Sequence, residues 1–295
     1  MSRRVLITGG ASGLGAALAT AFARQGDRVL VTDRTDPADR PGALPPGAAS
    51  PGEAFLRLDV TSDADWAAAH AWVEEHWGGL DVLVNNAGVA AGGRIDVLPM
   101  DDWRWITDIN LFGVVRGCRT FTPLMKRQGS GHIVNTASMA GLTHPPASGS
   151  YNAVKAAVVA LSETLRYELA PYGVTTSVVC PSFFRTNLAA SLPGSDPLME
   201  QVATRLIGRS PLDADQIAAT VMAGIRKGRP VILTDGPGRR AYWAKRLLRP
   251  LYDRQMYGFG QRIRQGEARL EQDGPDRRHT SDRSTDEQRE QERTA

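Results

Sequence analysis

The chain has 295 residues, enough for one large domain or two small ones, and a net charge of only +3 at pH 7. Hydrophobic residues make up 42% and charged residues 23%, as in a globular protein with a sizeable core. The balanced charge predicts no general attraction to nucleic acid, and no run of about 18 apolar residues suited to crossing a membrane is present.

Cysteine and histidine usage predicts a reducing compartment and no metal centre. Cys118 and Cys180 both lie in apolar stretches, which favours buried thiols over a disulfide. The five histidines have no metal-ligand spacing. The chain enters an apolar run at Val5 without a signal-type segment before it, so we expect a cytoplasmic protein.

A glycine-rich turn follows the first apolar run. Val5-Leu6-Ile7 has the pattern of a strand buried on both faces, and apolar residues recur at helical spacing from Leu14. Glycines at a strand-to-helix turn let a pyrophosphate approach the free N–H groups of the helix N-terminus. A tight turn without a ligand is the alternative. The turn includes Thr8, Gly9, Ser12, Gly13, Leu14 and Gly15.

The second predicted strand, Arg28 to Thr32, ends at an acidic residue. Asp33 can accept hydrogen bonds from the ribose hydroxyls of an adenosine and would repel a 2′-phosphate, which favours NAD(H) over NADP(H). Arg34 acts in the opposite direction, because an arginine can hold that phosphate. The alternative for Asp33 is an ordinary turn residue at a strand end.

Further strands alternate with helices along the chain. Residues 35–52, with five prolines, are predicted to form a surface loop. Two helices are predicted between these strands. One is rich in tryptophans, which are expected to pack in the core, and the other covers about 101–125. The later strands are predicted at 55–58, 82–84, 133–136, 174–180 and 231–233. This alternation predicts an α/β fold with a Rossmann-type, doubly wound, seven-stranded parallel sheet flanked by helices.

The segment from Ser138 to Lys155 carries the candidate chemistry. Tyr151 and Lys155 are four residues apart in a predicted helix, so they share one face. A free tyrosine has a pKa of about 10, and a cation about 4 Å away can lower that pKa toward neutrality. Ser138, at a strand end, can hydrogen-bond the same reacting oxygen. An ordinary amphipathic helix with an exposed Tyr and Lys is the alternative.

Taken together, these residues resemble the short-chain dehydrogenase/reductase family over roughly residues 3–235. The matching features are Thr8-Gly9-x-x-x-Gly13-x-Gly15, Asp59, Asn85-Asn86-Ala87-Gly88, Asn110, Ser138 and Tyr151-x-x-x-Lys155. The chain departs from the family at Pro181-Ser182, where many members have Pro-Gly, and in the shortened segment after Asp33.

The resemblance implies catalytic roles and a nicotinamide cofactor. Tyr151 would be the acid/base, Ser138 would orient the substrate oxygen, Lys155 would also hold the nicotinamide ribose, and Asn110 would anchor a proton-relay water. Asp59 would meet the adenine and Thr186 the carboxamide. The implied cofactor-binding set is Thr8, Gly9, Ser12, Gly13, Leu14, Gly15, Asp33, Arg34, Asp59, Val60, Asn86, Ala87, Gly88, Tyr151, Lys155, Pro181, Phe183 and Thr186.

Apolar residues flank the reacting segment and predict a hydrophobic substrate pocket. Residues 187–212 are expected to form a mobile lid over it. The alternative is that half of the apolar side chains in this region pack inward instead of lining a pocket. The predicted pocket residues are Met139, Leu142, Pro145, Phe183, Phe184 and Leu188.

The composition changes after Gly238, which we take as the end of the catalytic domain, residues 1–238. Residues 239–270 carry nine Arg or Lys against two Asp or Glu, interleaved with aromatic and leucine residues. Such a basic amphipathic segment can lie on an anionic membrane surface. Packing over the substrate cleft or a sister subunit is the favoured alternative. The polar residues 271–295 are expected to be disordered.

The expected function is therefore an NAD(P)-dependent oxidoreductase that interconverts a hydrophobic secondary alcohol and its ketone. The rival is a regulatory or scaffold protein that binds the cofactor without turnover. The presence of all four catalytic-type residues argues against that rival. Because apolar stripes around Asn110 and Tyr151 resemble those that family members use in pairing, a homodimer or homotetramer is expected.

Overall fold

A computed structural model describes residues 2–36 and 53–272 of the chain. Seven strands form one sheet in the order β3-β2-β1-β4-β5-β6-β7, and every neighbouring pair is parallel. The strands are β1 (Arg4–Thr8), β2 (Arg28–Asp33), β3 (Glu53–Arg57), β4 (Val82–Asn85), β5 (Gly131–Thr136), β6 (Val174–Cys180) and β7 (Val231–Leu233). The predicted doubly wound sheet is confirmed.

Helices cover both faces of the sheet. One face packs on α1 and α8, and the other on α2, α4 and α6, with a separate hydrophobic cluster between each layer and the strands. The helices are α1 (Gly13–Ala23), α2 (Asp63–Trp77), α3 (Met100–Thr107), α4 (Gly113–Gln128), α5 (Ala140–Thr143), α6 (Gly149–Leu169), α7 (Pro197–Gly208), α8 (Ala214–Arg226), α9 (Gly236–Leu247) and α10 (Arg249–Gln272).

Several local signals are visible at the helix ends. Ser62 caps α2 by accepting a hydrogen bond from the N–H of Asp65. Asp213 and Gln216 form a capping box at the start of α8. The third strand begins two residues earlier than predicted, at position 53, and ends at Arg57. Residues 37–52, most of the predicted surface loop, lie outside the described part of the chain.

The helix predicted over 101–125 is three segments. Helix α3 ends at Thr107, a π-helical turn follows over Asp108–Phe112, and α4 continues from Gly113. A π-turn adds a residue to the helical repeat and is frequent at functional sites. Asn110 lies in this turn.

The C-terminal extension forms two helices, α9 and α10, which meet at Leu248. The break lies two residues before Pro250, whose missing N–H and fixed φ suit the first turn of α10. Residues 273–295, most of the segment expected to be disordered, lie outside the described residues. Across 2–36 and 53–272, none of the helices combines the length and apolar character needed to cross a bilayer.

Candidate functional site

A cavity of about 930 Å³ opens at the carboxyl ends of the strands. The strand order reverses between β1 and β4, which is the position where open parallel sheets bind their ligands. The glycine turn after β1 lines one end of the cavity, and Tyr151 and Lys155 line its centre. The topology therefore brings the two main sequence signals into one continuous space.

The glycine turn has the geometry of an anion cradle. Gly9 and Gly13 have φ angles of +63° and +53°, a region that glycine adopts without strain. A Cβ on Gly13 would lie 2.9 Å from Oγ1 of Thr186, so glycine also lets the two segments approach. Helix α1 begins here, and its extended N-cap residue Ser12 makes no side-chain capping bond. These residues fit a pyrophosphate facing the helix N-terminus.

Thr8 and Gly15, two of the predicted cofactor-binding residues, act on the backbone of this turn. The buried Thr8 hydroxyl accepts hydrogen bonds from the N–H groups of Asn86 and Ala87, each at 3.0 Å. A Cβ on Gly15 would lie 2.2 Å from the carbonyl oxygen of Gly9. Neither Thr8 nor Gly15 lines the cavity, because both hold the β1 turn against the β4 turn.

The far end of the cavity carries the residues expected near an adenosine. Asp33, Arg34, Asp59 and Val60 all line it. Asp33 is buried and its Oδ2 accepts a hydrogen bond from the N–H of Ala11 at 3.3 Å, while Arg34 is exposed. Both groups that bear on cofactor choice therefore face the same space.

Ser138, Tyr151 and Lys155 meet at the centre. Ser138 follows β5, and the two other residues lie on the first turns of α6. All three side chains line this part of the cavity. The Lys155 ammonium lies 5.8 Å from the centroid of the Tyr151 ring and donates a 3.0 Å hydrogen bond to the carbonyl of Thr136.

The protonation of this group differs from the sequence expectation. Burial raises the pKa of Tyr151 above its ordinary value, and the hydrogen bond with Ser138 only opposes that shift. Burial also lowers the pKa of Lys155 to about 8. The expectation that the pKa of Tyr151 lies near neutrality is therefore wrong for the chain by itself, because burial disfavours the charged phenolate.

Asn110 is fully buried and braces the backbone of the cavity wall. Its Oδ1 accepts from the N–H of Val89 at 2.8 Å, and its Nδ2 donates to the carbonyl of Val89 at 2.9 Å. A Cβ on Gly88 would lie 2.9 Å from this Oδ1 and 3.6 Å from Nζ of Lys155. The π-turn thus directs Asn110 at the strand end beside Lys155, and Gly88 leaves room for both.

The other half of the cavity is mainly apolar. Most predicted pocket residues line it, whereas Leu142 packs against the hydrophobic core and is not part of the wall. Helix α7 lies within the predicted lid, residues 187–212, and its side chains face the cavity at helical spacing, but the sequence analysis did not single them out as pocket residues. The predicted residues that line the wall are Met139, Pro145, Phe183, Phe184 and Leu188, and Pro181 and Thr186 border the same region; the missed ones include Trp105, Met199, Ala203 and Leu206.

The C-terminal helices also reach the cavity. Ala241 of α9 and Phe259 of α10 are among its lining residues. Tyr252 donates a hydrogen bond to the carbonyl of Thr143, and Lys245 donates one to the carbonyl of Leu142 at 2.7 Å. Both bonds fix the extension against α5, so it contributes part of the wall.

No group of three or more potential metal ligands lies together within residues 2–36 and 53–272. In that part of the chain the site is built from hydroxyl, phenol, ammonium, amide and carboxylate groups.

Sequence comparisons identify the family. A model described as short chain dehydrogenase matches residues 3–196. A 2-(R)-hydroxypropyl-CoM dehydrogenase of Xanthobacter autotrophicus is 34% identical over 226 residues, covering 75% of this chain and 90% of its own. A 3-alpha-(or 20-beta)-hydroxysteroid dehydrogenase of Mycobacterium bovis is 34% identical over 205 residues, covering 70% and 75%.

Solved structures agree with that match. A short-chain dehydrogenase/reductase from Burkholderia phymatum in complex with NAD superposes with a TM-score of 0.76 at 32% identity, covering 83% of this chain and 93% of its own. A short-chain dehydrogenase from Sphingobium yanoikuyae in complex with NADPH gives 0.64 at 26% identity, covering 78% and 87%. The chain belongs to the short-chain dehydrogenase/reductase family and is an oxidoreductase.

Proposed function

We propose that this enzyme interconverts a hydrophobic secondary alcohol and its ketone, with Tyr151 as the acid/base and NAD(H) as the cofactor. The observation that supports the proposal is that Ser138, Tyr151 and Lys155 line one stretch of wall between an anion cradle and an apolar pocket. Hydride transfer from a carbinol needs a base for the hydroxyl proton, and Tyr151 is the group placed to accept it.

Each residue of the group has a separate task. The Ser138 hydroxyl holds the substrate oxygen beside the phenol, and the same contact favours the phenolate. The Lys155 ammonium adds a positive charge within the buried site and is held by Thr136. When bound, the nicotinamide supplies the hydride acceptor or donor, and its oxidised form carries a positive charge that favours the phenolate. Asn110 keeps the Val89 segment in place beside this centre.

The substrate class follows from the pocket wall. Aliphatic and aromatic side chains from the segment after β5, from the segment after β6 and from α7 face it. Apolar walls of this kind favour ligands that bury carbon rather than charge. The hydroxysteroid dehydrogenase among the relatives supports a hydrophobic alcohol, whereas the name of the hydroxypropyl-CoM enzyme describes a smaller, polar substrate. The residues of the cavity favour the first class.

The cofactor preference rests on Asp33. Its carboxylate lines the adenosine end, and a 2′-phosphate there would meet a like charge. Arg34 lies beside it but is exposed, so its charge is better screened by solvent. Similar structures bind either NAD or NADPH, so this chain's own residues must decide the preference.

The substitution Tyr151→Phe tests the mechanism, because it removes one oxygen and keeps the ring. We expect turnover of a hydrophobic alcohol, read from the absorbance of reduced cofactor, to fall at least ~100-fold. Cofactor affinity, measured by fluorescence titration, is expected to change less than about twofold, since no other cradle contact is touched.

Tyr167→Phe is the matched control, because Tyr167 is exposed on the same helix. It is expected to keep wild-type turnover. An active Tyr151→Phe variant would remove the acid/base assignment. A wild-type protein that binds cofactor but turns over no alcohol or ketone in a broad screen would favour the rival function of a regulatory protein.

Assembly and location are extensions of the same proposal. We expect a homodimer or homotetramer through the layer that contains α4 and α6, beside which Phe112 is exposed. Cys118 and Cys180 are both free and buried, which agrees with a reducing compartment such as the cytoplasm.

A further inference from the structure

Four large apolar side chains are exposed where α9 and α10 meet. Trp243, Leu247, Leu248 and Leu251 are 53%, 72%, 55% and 63% exposed. Trp243 and Leu247 are one helical turn apart, and Leu251 follows Leu247 by the same interval across the break. We call these four residues the elbow surface. Several large apolar side chains exposed within nine residues of one another are unusual on a protein surface, and exposed apolar patches often mark interaction sites.

The opposite side of the same helices is fixed to the protein. Tyr252 is 6% exposed and hydrogen-bonds the carbonyl of Thr143, while Tyr242 packs against the core cluster. Lys245 reaches the carbonyl of Leu142. Because these contacts hold the inner faces inward, the elbow surface stays directed away from the protein.

The two helices that carry the elbow surface are rich in basic side chains. Both acidic residues within 239–270 are already engaged: Asp253 with Arg249, and Glu267 with Arg94 of the main domain. The positive charges are therefore not balanced within the two helices. Besides Arg249, which pairs with Asp253, the exposed arginines are Arg239, Arg240, Arg246, Arg254, Arg262 and Arg264.

We propose that this face binds the surface of an anionic lipid bilayer, with the elbow side chains inserted among the acyl chains and the arginines at the headgroups. Helices that lie in the interface have this arrangement of tryptophan and leucine flanked by Arg or Lys. Each basic side chain near an anionic surface strengthens binding roughly fivefold.

The positive charge of this face argues against a second copy of the chain as the partner that binds the elbow surface. A symmetric dimer through this face would bring the basic residues of both copies into one interface, and like charges repel. A nucleic acid would satisfy the arginines but would leave three leucines against phosphates. Among these occupants, an anionic membrane matches both the charge and the apolar side chains.

Membrane binding through the elbow surface would also bring the substrate cavity close to the bilayer, and the importance of this rests on the proposed function. Thr143, the acceptor for Tyr252, lines the cavity, as does Phe259 of α10. One helix thickness, about 10 Å, therefore separates the elbow surface from the cavity wall. A hydrophobic alcohol dissolved in the bilayer would reach the pocket over a short distance.

Vesicle flotation with the full chain tests the proposal at about 0.15 M salt. We expect at least ~10-fold more protein on phosphatidylcholine vesicles containing roughly one third phosphatidylglycerol than on phosphatidylcholine alone. The triple variant Arg239→Gln, Arg240→Gln, Arg246→Gln is expected to lose at least ~10-fold of that binding. The variant Leu247→Gln, Leu248→Gln, Leu251→Gln tests the apolar part and is expected to lose a similar amount.

The matched control is Arg24→Gln, Arg226→Gln, Lys227→Gln. It changes the net charge equally, and the substituted residues are exposed at the ends of α1 and α8, on the opposite layer. It is expected to retain binding within about twofold. Thermal melting checks that each variant folds. If the leucine variant does not fold, the arginine variant alone tests membrane binding.

Equal binding of the wild type to neutral and anionic vesicles, or no binding to either, would overturn the proposal. Equal losses in the arginine variant and in the control would also overturn it, since net charge alone would then explain the binding. None of these measurements depends on turnover, so they are independent of the test of Tyr151.

Discussion

Several residues of the site act on the backbone. Thr8 holds the N–H groups of the β4 turn, and Asn110 holds both polar groups of Val89. Buried polar groups are costly unless they are paired, so each of these side chains fixes one local conformation. The cavity therefore owes its shape to side chains that a ligand does not have to touch.

Single residues were predictable where spacing defines their chemistry. The local pattern was enough to predict that Tyr151 and Lys155 lie one helical turn apart. It was also enough to place Ser138 at a strand end. The pKa of Tyr151 was predicted in the wrong direction, because desolvation depends on the cavity that surrounds the ring. Leu142 was misplaced for a similar reason, since four-residue α5 turns it toward the core.

The cofactor preference yields a prediction at this scale. We expect wild-type protein to bind NADH at least ~5-fold more tightly than NADPH, the effect of one like-charge contact at a partly solvated site. Asp33→Asn keeps the shape of the side chain and removes its charge, so the preference should fall to about twofold or less. Fluorescence titration with both cofactors measures this.

Arg34→Gln is the companion variant, and it should weaken NADPH binding while leaving NADH binding nearly unchanged. Tighter binding of NADPH by the wild type would show that Arg34 outweighs Asp33. An unchanged ratio in Asp33→Asn would show that the carboxylate does not decide the preference.

At the level of elements, periodicity revealed the alternation of strands and helices but not the interruption of one helix. The apolar stripe over 101–125 continues through the π-turn, because one extra residue barely changes a pattern read over many turns. Asn110 is directed inward by that extra residue. An amide within a helical pattern is usually exposed, so only the tertiary contact with Val89 shows its role.

The pairing of β5 with β6 contains a histidine that predicts acid sensitivity. Nε2 of His132 lies 2.8 Å from Oγ of Ser177, whose hydroxyl donates to the carbonyl of Arg229. Nε2 must therefore carry a hydrogen and donate it to Ser177. Burial, aided by the charge of Arg3, lowers the pKa of His132 to about 4.

The sign of the pH effect follows from that shift. Between about pH 6.5 and pH 4 the unfolded chain binds a proton at this ring and the folded protein does not, so stability is lost as the pH falls. Relative to His132→Gln, the wild type should lose about 2 kcal/mol more between pH 7.5 and pH 5. Urea unfolding at the two pH values measures this difference, and parallel losses would contradict it.

At the scale of the whole molecule, the return of the C-terminal helices to the cavity was the feature least accessible from sequence. Packing over the cleft was one of two interpretations of residues 239–270. The contacts that determine the position of the extension join residues about 100 or more positions apart, such as Lys245 with Leu142 and Glu267 with Arg94. Local sequence patterns predict these helices but not where in the fold they pack.

Arg94 is the link between three distant parts of the chain. Its guanidinium and N–H bind the carboxylate of Asp196, and its Nη1 lies 2.9 Å from Oε1 of Glu267 in α10. Asp196 is fully buried and also accepts a hydrogen bond from the N–H of Met199 in α7. Desolvation opposes ionisation, but Arg94 holds the pKa of Asp196 below its ordinary value.

Loss of this arginine should therefore cost much more than loss of a surface ion pair. Arg94→Gln would leave the Asp196 carboxylate buried without its counter-charge, and we expect the free energy of unfolding to fall by about 3 kcal/mol. Glu267→Gln removes only the partly exposed partner and is expected to cost less than about 1 kcal/mol. Arg104→Gln, which breaks the exposed pair with Asp101, is the control and should cost below about 0.5 kcal/mol. Urea unfolding at neutral pH measures all three, and an Arg94→Gln variant as stable as the control would show that the buried pair does not hold these segments together.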